Sequence, residues 1–317
     1  MKSYQVIRTH LSPYQSQDFL AREEAVITGF PSFNYQSVKN FKDQDTILIT
    51  NTHTDLAELP GALLKNTKLI IHPNSGYDHF AKDHEIWKNI PLVIGHTIRA
   101  QAVAEYSLAA LFEGLLELPQ QITWHKERTW NRTLLKGTSV WIFGYGHIGK
   151  IIADTLSTLG MDVTIVDPYK PDCLQHWKDG NISKARVIIS AMSLNRDTHH
   201  LFNEELFASL SGEVLFINGA RGKLVDENAL RGYLLSHPGS FAFLDVFEQE
   251  PFGEEWHGFP QVWKTSHIAG VEKDLDQKIL NFEEAVLMDY LNSNEPAFFK
   301  KYALELLQNK WIKGVLV

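Results

Sequence analysis

Cysteine is nearly absent. One residue, Cys173, stands in 317. That excludes a disulfide framework within the chain and any zinc site built on several thiolates. Long apolar runs are missing too, since no segment approaches the ~18 uninterrupted apolar residues of a membrane span. Positive charge is in deficit: 30 Lys and Arg against 38 Asp and Glu give a formal net charge of −8. A nucleic-acid binder, or a protein held on an anionic membrane, needs a basic face and is not expected. Low-complexity stretches and repeats of solenoid period are lacking. The first residues, 1–14, carry no apolar core followed by a small-residue cleavage site, so no signal peptide is expected. With one cysteine, the expected compartment is the cytoplasm.

What is present is an ordinary globular composition, 44% hydrophobic and 21% charged, in a chain long enough for two domains. Short apolar segments at 4–9, 25–28, 46–50, 68–72 and 92–95 read as five buried strands. A second series follows at 139–143, 162–166, 186–190, 213–217 and 241–245. Between the series, Ala104, Leu108, Leu111, Phe112 and Leu115 share one helix face, which Pro119 ends or re-aims. A last helix covers 275–292, with Leu275, Ile279, Phe282, Val286 and Tyr290 on one side. Trp130 and Trp141 flank the entry to the second series and are expected to pack there. This alternation predicts an α/β architecture of two doubly wound parallel-sheet lobes. Ligands of such sheets bind beyond the carboxyl ends of the strands.

The clearest local signal is Gly144-Tyr145-Gly146-His147-Ile148-Gly149, directly after the strand 139–143. Taken alone, GxGxxG is weak. Here it opens a helix whose apolar residues are Ile148, Ile151, Ile152, Leu156 and Leu159, with Gly160 as its stop. The next strand ends at Asp167. The first glycine permits a tight turn, the second lets a pyrophosphate approach the backbone, and the third lets helix and strand pack closely. The helix N-terminus offers N–H groups and partial positive charge to phosphates. Asp167 can accept from both ribose hydroxyls, and a 2′-phosphate would meet like charge there, so NAD is favoured over NADP. Gly144 to Lys150 also fits the start of a triphosphate-binding loop. That loop needs Ser or Thr next to hold magnesium, and this chain has Ile151.

Three polar segments follow strand ends: 218–222 (NGARG), 245–251 (DVFEQEP) and 266–270 (SHIAG). Arg221 can hold a carboxylate through its planar fork. His267 can take a hydroxyl proton as a hydride leaves, and return it in the reverse direction. Glu250 can orient that imidazole and stabilise the imidazolium. Each alone has a bland reading: a turn arginine, a loop carboxylate, a structural histidine. Their joint placement after consecutive strand ends, downstream of a nucleotide loop, carries the argument. A metal site is not expected. Lys88 stands where HExxH needs a second histidine, and the side chains of the adjacent His199 and His200 should diverge. No GxSxG elbow is present, and Cys173 reads as structural.

With these motifs in hand, the chain resembles the D-isomer-specific 2-hydroxyacid dehydrogenases over most of its length. The likeness rests on GYGHIGK with VDP at 166–168, the segment 197–203, INGARGKLVDENAL at 217–230, LDVFEQEP at 244–251, SHIAG at 266–270, NSGYDH at 74–79 and VAEY at 103–106. The resemblance implies a Rossmann nucleotide-binding domain over 98–271, inserted in a flavodoxin-like substrate domain made of 1–97 and 272–317. It implies an NAD-dependent oxidoreductase of a D-2-hydroxy acid or the matching 2-keto acid, of open size, working as a homodimer. Arg221, Glu250 and His267 take the catalytic positions, Glu250 being preferred to Glu248. Asn74, Ser75 and Gly76 take the loop whose amides bind the substrate carboxylate. Met192, Gly219, Ala220, Asp245 and Gly270 line the cofactor site with the glycine loop. Glu250 argues against the formate-oxidising branch, which carries Gln there. Three positions depart from the pattern: Ala81 for Asp, Ser193 for Pro and Ser266 for Pro. A regulatory protein that binds NAD on the same fold is the alternative. Arg99 is a substrate-pocket candidate only through its place before the 100–116 segment.

Overall fold

Residues 3–116, 124, 126–127 and 132–317 are described in the computed structural model. Pro119 and Trp130 lie outside them. The chain divides into two compact units, Met1–Arg99 with Val271–Val317, and Ala100–Gly270.

In the first unit, five strands form one parallel sheet: β1 (Tyr4–Arg8), β2 (Phe33–Gln36), β3 (Thr46–Ile49), β4 (Thr67–His72) and β5 (Leu92–Ile94). Their order is β2-β1-β3-β4-β5, the flavodoxin-like order. Successive side chains alternate faces. Val6, Ile47, Ile49, Leu69, Ile71 and Val93 pack in one layer with Val286 and Leu287 of the helix Leu275–Asn292. Ile7, Leu48, Ile70, Leu92 and Ile94 pack in the other with Leu56, Leu63 and Trp87. Both faces are covered, which is why β3, β4 and β5 read as largely apolar runs.

One expected strand is a helix. Residues 25–28 end the helix Phe19–Thr28, whose buried residues Phe19, Glu23 and Ile27 recur every four positions. Glu23 occupies a core position where the pattern calls for an apolar residue, and this hid the helical period. The missing second strand is β2, whose half-polar FNYQ suits a sheet edge. Glu23 is buried because Arg8 meets it. Arg8 Nε and Nη2 donate to Glu23 Oε1 at 2.7 and 2.5 Å, and Nη2 also donates to Glu283 Oε1 at 2.5 Å. Tyr35 donates to Glu23 Oε2 at 2.5 Å. This cluster ties β1, the 19–28 helix, β2 and the 275–292 helix together.

The second unit holds a six-stranded parallel sheet: β6 (Ser139–Phe143), β7 (Asp162–Val166), β8 (Val187–Ser190), β9 (Leu215–Asn218), β10 (Phe241–Leu244) and β11 (Val262–Lys264). The order is β11-β10-β9-β8-β6-β7. The usual dinucleotide-binding order has a third strand outside β7. Here that place is held by one parallel bridge between Val166 and Leu174. Val140, Ile142, Val187, Ile189 and Ile217 face a layer containing Ala104, Leu111 and Leu115 of the helix Ala100–Leu116, and Ile152 and Leu156 of the helix His147–Thr158. Phe143, Ile188, Phe216 and Leu244 face the opposite layer. Among the described residues, no helix is long and apolar enough to cross a membrane.

Candidate active site

Every strand of the second sheet delivers a polar or glycine-rich turn to its carboxyl edge. At β6, Gly144 has φ 98°, and a Cβ there would lie 2.5 Å from Ala191 O. At Gly149 an added Cβ would lie 1.9 Å from Gly144 O. Gly146 has nothing within 4 Å and caps the 147–158 helix. Two glycines are therefore demanded by close packing, and the middle one leaves open space at a helix N-terminus. That is the cradle a pyrophosphate needs. Tyr145, His147 and Ile148 lie on this turn, and Met192 is buried beside it, just past β8. At the end of β7, the Asp167 carboxylate accepts from Tyr145 N at 2.8 Å and Tyr169 N at 2.9 Å. Each oxygen keeps one further acceptor position.

Past β9, Asn218 shapes the arginine turn. Its Nδ2 donates to Arg221 O at 2.9 Å, and its Oδ1 accepts from Ala220 N at 3.1 Å. Arg221 Nη1 donates to Ala220 O at 2.7 Å. Gly219 packs near Tyr106 and Ala269. Gly222 follows, and an added Cβ would lie 1.9 Å from the Phe247 carbonyl. The arginine turn thus rests directly on the backbone of the 245–251 loop.

That loop carries two glutamates with different partners. Glu248 pairs with His200 at 3.2 Å and accepts from Glu227 N. Glu250 Oε2 lies 2.8 Å from His267 Nδ1, and its Oε1 accepts from Phe247 N at 3.2 Å. Burial acts to raise the Glu250 carboxyl. The His267 hydrogen bond and charge, the Phe247 N–H and the Arg221 charge outweigh it, and the net position is below the usual value. Glu250 is therefore ionised at neutral pH and can only accept. The proton on this contact belongs to Nδ1, which leaves Nε2 of the neutral ring as the outward acceptor.

His267 sits at φ 56°, a left-handed conformation that costs a non-glycine residue about 1 kcal/mol or more. Asp245, 1% exposed, holds the turn. Its carboxylate accepts from Thr265 Oγ1 at 2.6 Å, Ile268 N at 2.8 Å and Ala269 N at 2.8 Å, and its carbonyl accepts from His267 N at 2.8 Å. Since Thr265 donates to Asp245, its oxygen accepts from the Tyr106 hydroxyl at 2.8 Å. Gly270 closes the unit. Asn218, Gly222, Thr265 and Tyr106 were not singled out as site residues from the sequence, because their roles depend on contacts between strand ends. Ser266 is exposed beside His267, Ala81 is exposed, and the Ser193 carbonyl accepts from Thr198 Oγ1 at 2.8 Å.

In the first unit, the turn after β4 carries Asn74, Ser75 and Gly76. His72, fully buried at the strand end, braces it. A carbonyl can only accept, so His72 Nε2–H donates to Gly76 O at 2.9 Å, and Thr50 Oγ1 donates to Nδ1 at 3.0 Å. Burial, with the charges of His79 and Arg99 adding, pushes the His72 imidazole well down, so it is neutral.

The rings of His199 and His200 stack, with centroids 4.0 Å apart, rather than diverging. His200 has φ 51°, which turns its side chain back over its neighbour. Among the described residues no group of three or more His, Cys, Asp or Glu side chains is placed to hold a metal. Partial burial, with the charges of Asp167 and Asp172, raises the Cys173 thiol and keeps its thiolate fraction low.

A nucleotide cradle and an acid–base pair on one sheet edge define a nucleotide-dependent oxidoreductase. The comparisons make this particular. The family model described as D-isomer specific 2-hydroxyacid dehydrogenase, NAD binding domain, matches residues 108–269, just over half of the chain. The hydroxypyruvate reductase of Thermotoga maritima is 25% identical over 293 residues, covering 88% of this chain and 95% of its own. The glyoxylate reductase of Thermofilum pendens is 26% identical over 306 residues, covering 90% of each. Among solved structures, the D-lactate dehydrogenase of Aquifex aeolicus, complexed with NAD and lactic acid, matches with a TM-score of 0.73. It is 20% identical, and the match covers 96% of this chain and 99% of that one. This chain belongs to the D-isomer-specific 2-hydroxyacid dehydrogenase family. It is an NAD(P)-dependent oxidoreductase of 2-hydroxy and 2-keto acids.

Proposed function

We propose that the first unit is the substrate domain and the second the nucleotide domain, and that the chain reduces a 2-keto acid with NADH or runs the reverse oxidation. The observation that carries this is the 2.8 Å contact between His267 Nδ1 and an ionised Glu250. It leaves Nε2 as a base of fixed orientation. In the oxidation, Nε2 takes the hydroxyl proton as C2 loses a hydride. In the reduction, the imidazolium returns a proton to the carbonyl oxygen. Glu250 stabilises the charged ring and holds its tautomer. Arg221, with the amides around Ser75 and Gly76, holds the substrate carboxylate. The nicotinamide, when bound, gives or takes the hydride. The glycine loop and its helix hold the pyrophosphate, with Met192, Gly219, Ala220, Asp245 and Gly270 along the rest of the cofactor.

NAD is the proposed nucleotide. Asp167 keeps free acceptor positions for ribose hydroxyls, and a 2′-phosphate would meet its charge. Family members are known with either nucleotide: the Aquifex structure holds NAD, whereas a glyoxylate/hydroxypyruvate reductase of Sinorhizobium meliloti is NADPH-dependent. A homodimer is the proposed assembly, to be checked by light scattering. The activity is tested by following NADH consumption with a panel of 2-keto acids. Turnover supports the reading; tight NADH binding without turnover of any acid would favour a regulatory role.

A further inference from the structure

Arg99 is 7% exposed, and among the described residues no carboxylate pairs with it. Its Nη1 donates to Pro73 O at 2.7 Å and its Nη2 to Tyr14 Oη at 2.7 Å. The guanidinium also lies over the Tyr14 ring, 5.5 Å from its centroid. Asn74 Nδ2 donates to the same Tyr14 oxygen at 3.2 Å. The Tyr14 hydroxyl thus accepts twice, and among the described residues nothing takes its proton. One position along the loop, the Ser75 hydroxyl is buried without a hydrogen-bond partner. Two donations use two of the five guanidinium N–H groups. This corner of the first sheet's carboxyl edge is therefore rich in donors, and among the described residues no carboxylate bonds to Arg99, Tyr14 or Ser75.

A buried cation without a counter-charge is costly and is seldom retained for stability. Arg8, in the same unit, shows the alternative, with two glutamates on its fork. The two arginines also differ in direction. The glutamates hold the Arg8 guanidinium above its ordinary value despite its burial, whereas burial pulls Arg99 below it, the Tyr14 contact only partly compensating.

We propose that Arg99, with the Tyr14 hydroxyl, binds a second anionic group of the substrate, so that the preferred 2-keto acid carries two anionic groups. This rests on the reading that Arg221 and the Ser75–Gly76 amides take the C1 carboxylate. A second fixed cation next to that loop then needs a second negative group. A carboxylate, a sulfonate and a phosphate ester share the chemistry, and a guanidinium fork suits each.

The test compares wild type, Arg99→Gln and Arg99→Lys. NADH consumption is measured with pyruvate and hydroxypyruvate, and with oxaloacetate, sulfopyruvate and 3-phosphohydroxypyruvate. Binding of malonate to the NADH-loaded protein is measured by calorimetry. Wild type should favour at least one acid with two anionic groups, and the best of the three names the group. Arg99→Gln should lower kcat/KM for that acid, through KM, by about tenfold or more beyond any loss with pyruvate. Arg99→Lys should recover part of it. Equal losses on both classes, or a wild-type preference for the acids with a single anionic group, would overturn the proposal. Malonate binding separates this from the activity itself. If no acid is turned over yet malonate binding depends on Arg99, the anion site stands and the reductase reading falls. If malonate binds wild type and Arg99→Gln alike, the anion site falls.

Discussion

At the carboxyl edge of the second unit's sheet, the carboxylates Glu250, Asp245 and Asp167 arrive already paired. His267 meets Glu250, Asp245 meets three donors, and Asp167 meets two backbone amides. At the same edge of the first unit, Arg99, Tyr14 and Ser75 offer hydrogen-bond donors with no carboxylate among them. The difference separates two kinds of work. A group balanced by its own fold can be aimed, and can pass a proton while keeping its geometry. A buried cation left unbalanced is completed by a ligand. Deeper in the first unit, Arg8 with Glu23 and Glu283 is the control: a buried charge cluster that answers only to stability.

Substitutions should split along this line, the supports of the acid–base pair changing kcat, the nucleotide contact Asp167 changing cofactor affinity, and the donor edge changing KM for the acid. Among the residues that support the acid–base histidine, Gly222→Ala should have the largest effect. Its Cβ would collide with the Phe247 carbonyl, so the arginine turn or the Glu250 loop must move. A fall in kcat of about 100-fold is expected, with a lower Tm. Unchanged kcat would mean the two turns need not keep register. Glu250→Gln comes next. Losing a charge-assisted hydrogen bond should lower kcat about 10- to 100-fold with little change in NADH affinity. In the wild type, Glu250 contributes fully above pH 4.5 and is lost only as pH falls through its depressed value. An acid limb assigned to this carboxyl should therefore lie below pH 4.5.

Asp167→Ser should shift the ratio of NADPH to NADH affinity by about tenfold toward NADPH, measured by fluorescence titration. A wild type that already binds NADPH more tightly would contradict the reading of Asp167. The smallest effect belongs to the control. Burial, against the Arg8 charge and with Glu23 adding, raises Glu283 well above its ordinary value. A proton on Glu283 gives its buried, otherwise unpartnered Oε2 a hydrogen to donate. A raised carboxyl favours the fold at low pH, and that contribution fades as pH climbs through the folded value. Glu283→Gln should remove this slope. Its Tm should exceed that of wild type by roughly 2–4 °C at mildly alkaline pH, with kcat unchanged. A change in kcat instead would erase the distinction between the Arg8 cluster and the sheet edges.

Much of the fold was legible because both sheets are parallel and covered on both faces. Strands such as 139–143 and 187–190 appear as nearly continuous apolar runs bounded by turns. The failures fall where polar residues interrupt the apolar pattern, once in the core and once at a sheet edge. Glu23 broke the period of the 19–28 helix, and the half-polar β2 did not look like a strand. At the site, His267, Glu250 and Arg221 could be named because each follows a strand end within a motif. The supports could not. Asn218 acts on residues two and three positions on, but only after the turn has formed. Thr265 acts through Asp245, twenty positions away in sequence. Gly222 is a glycine because another loop's backbone presses on it. Arg99 was a pocket candidate only through its place before a helix; the fold adds that, among the described residues, no carboxylate pairs with it.

The most direct test of the account is kcat for NADH-dependent reduction of the best 2-keto acid by wild type and by His267→Ala, with NADH affinity measured in parallel. A proton donor fixed by Glu250 predicts a fall of about 100- to 10,000-fold in kcat with NADH binding retained. Equal kcat in the two proteins would contradict it.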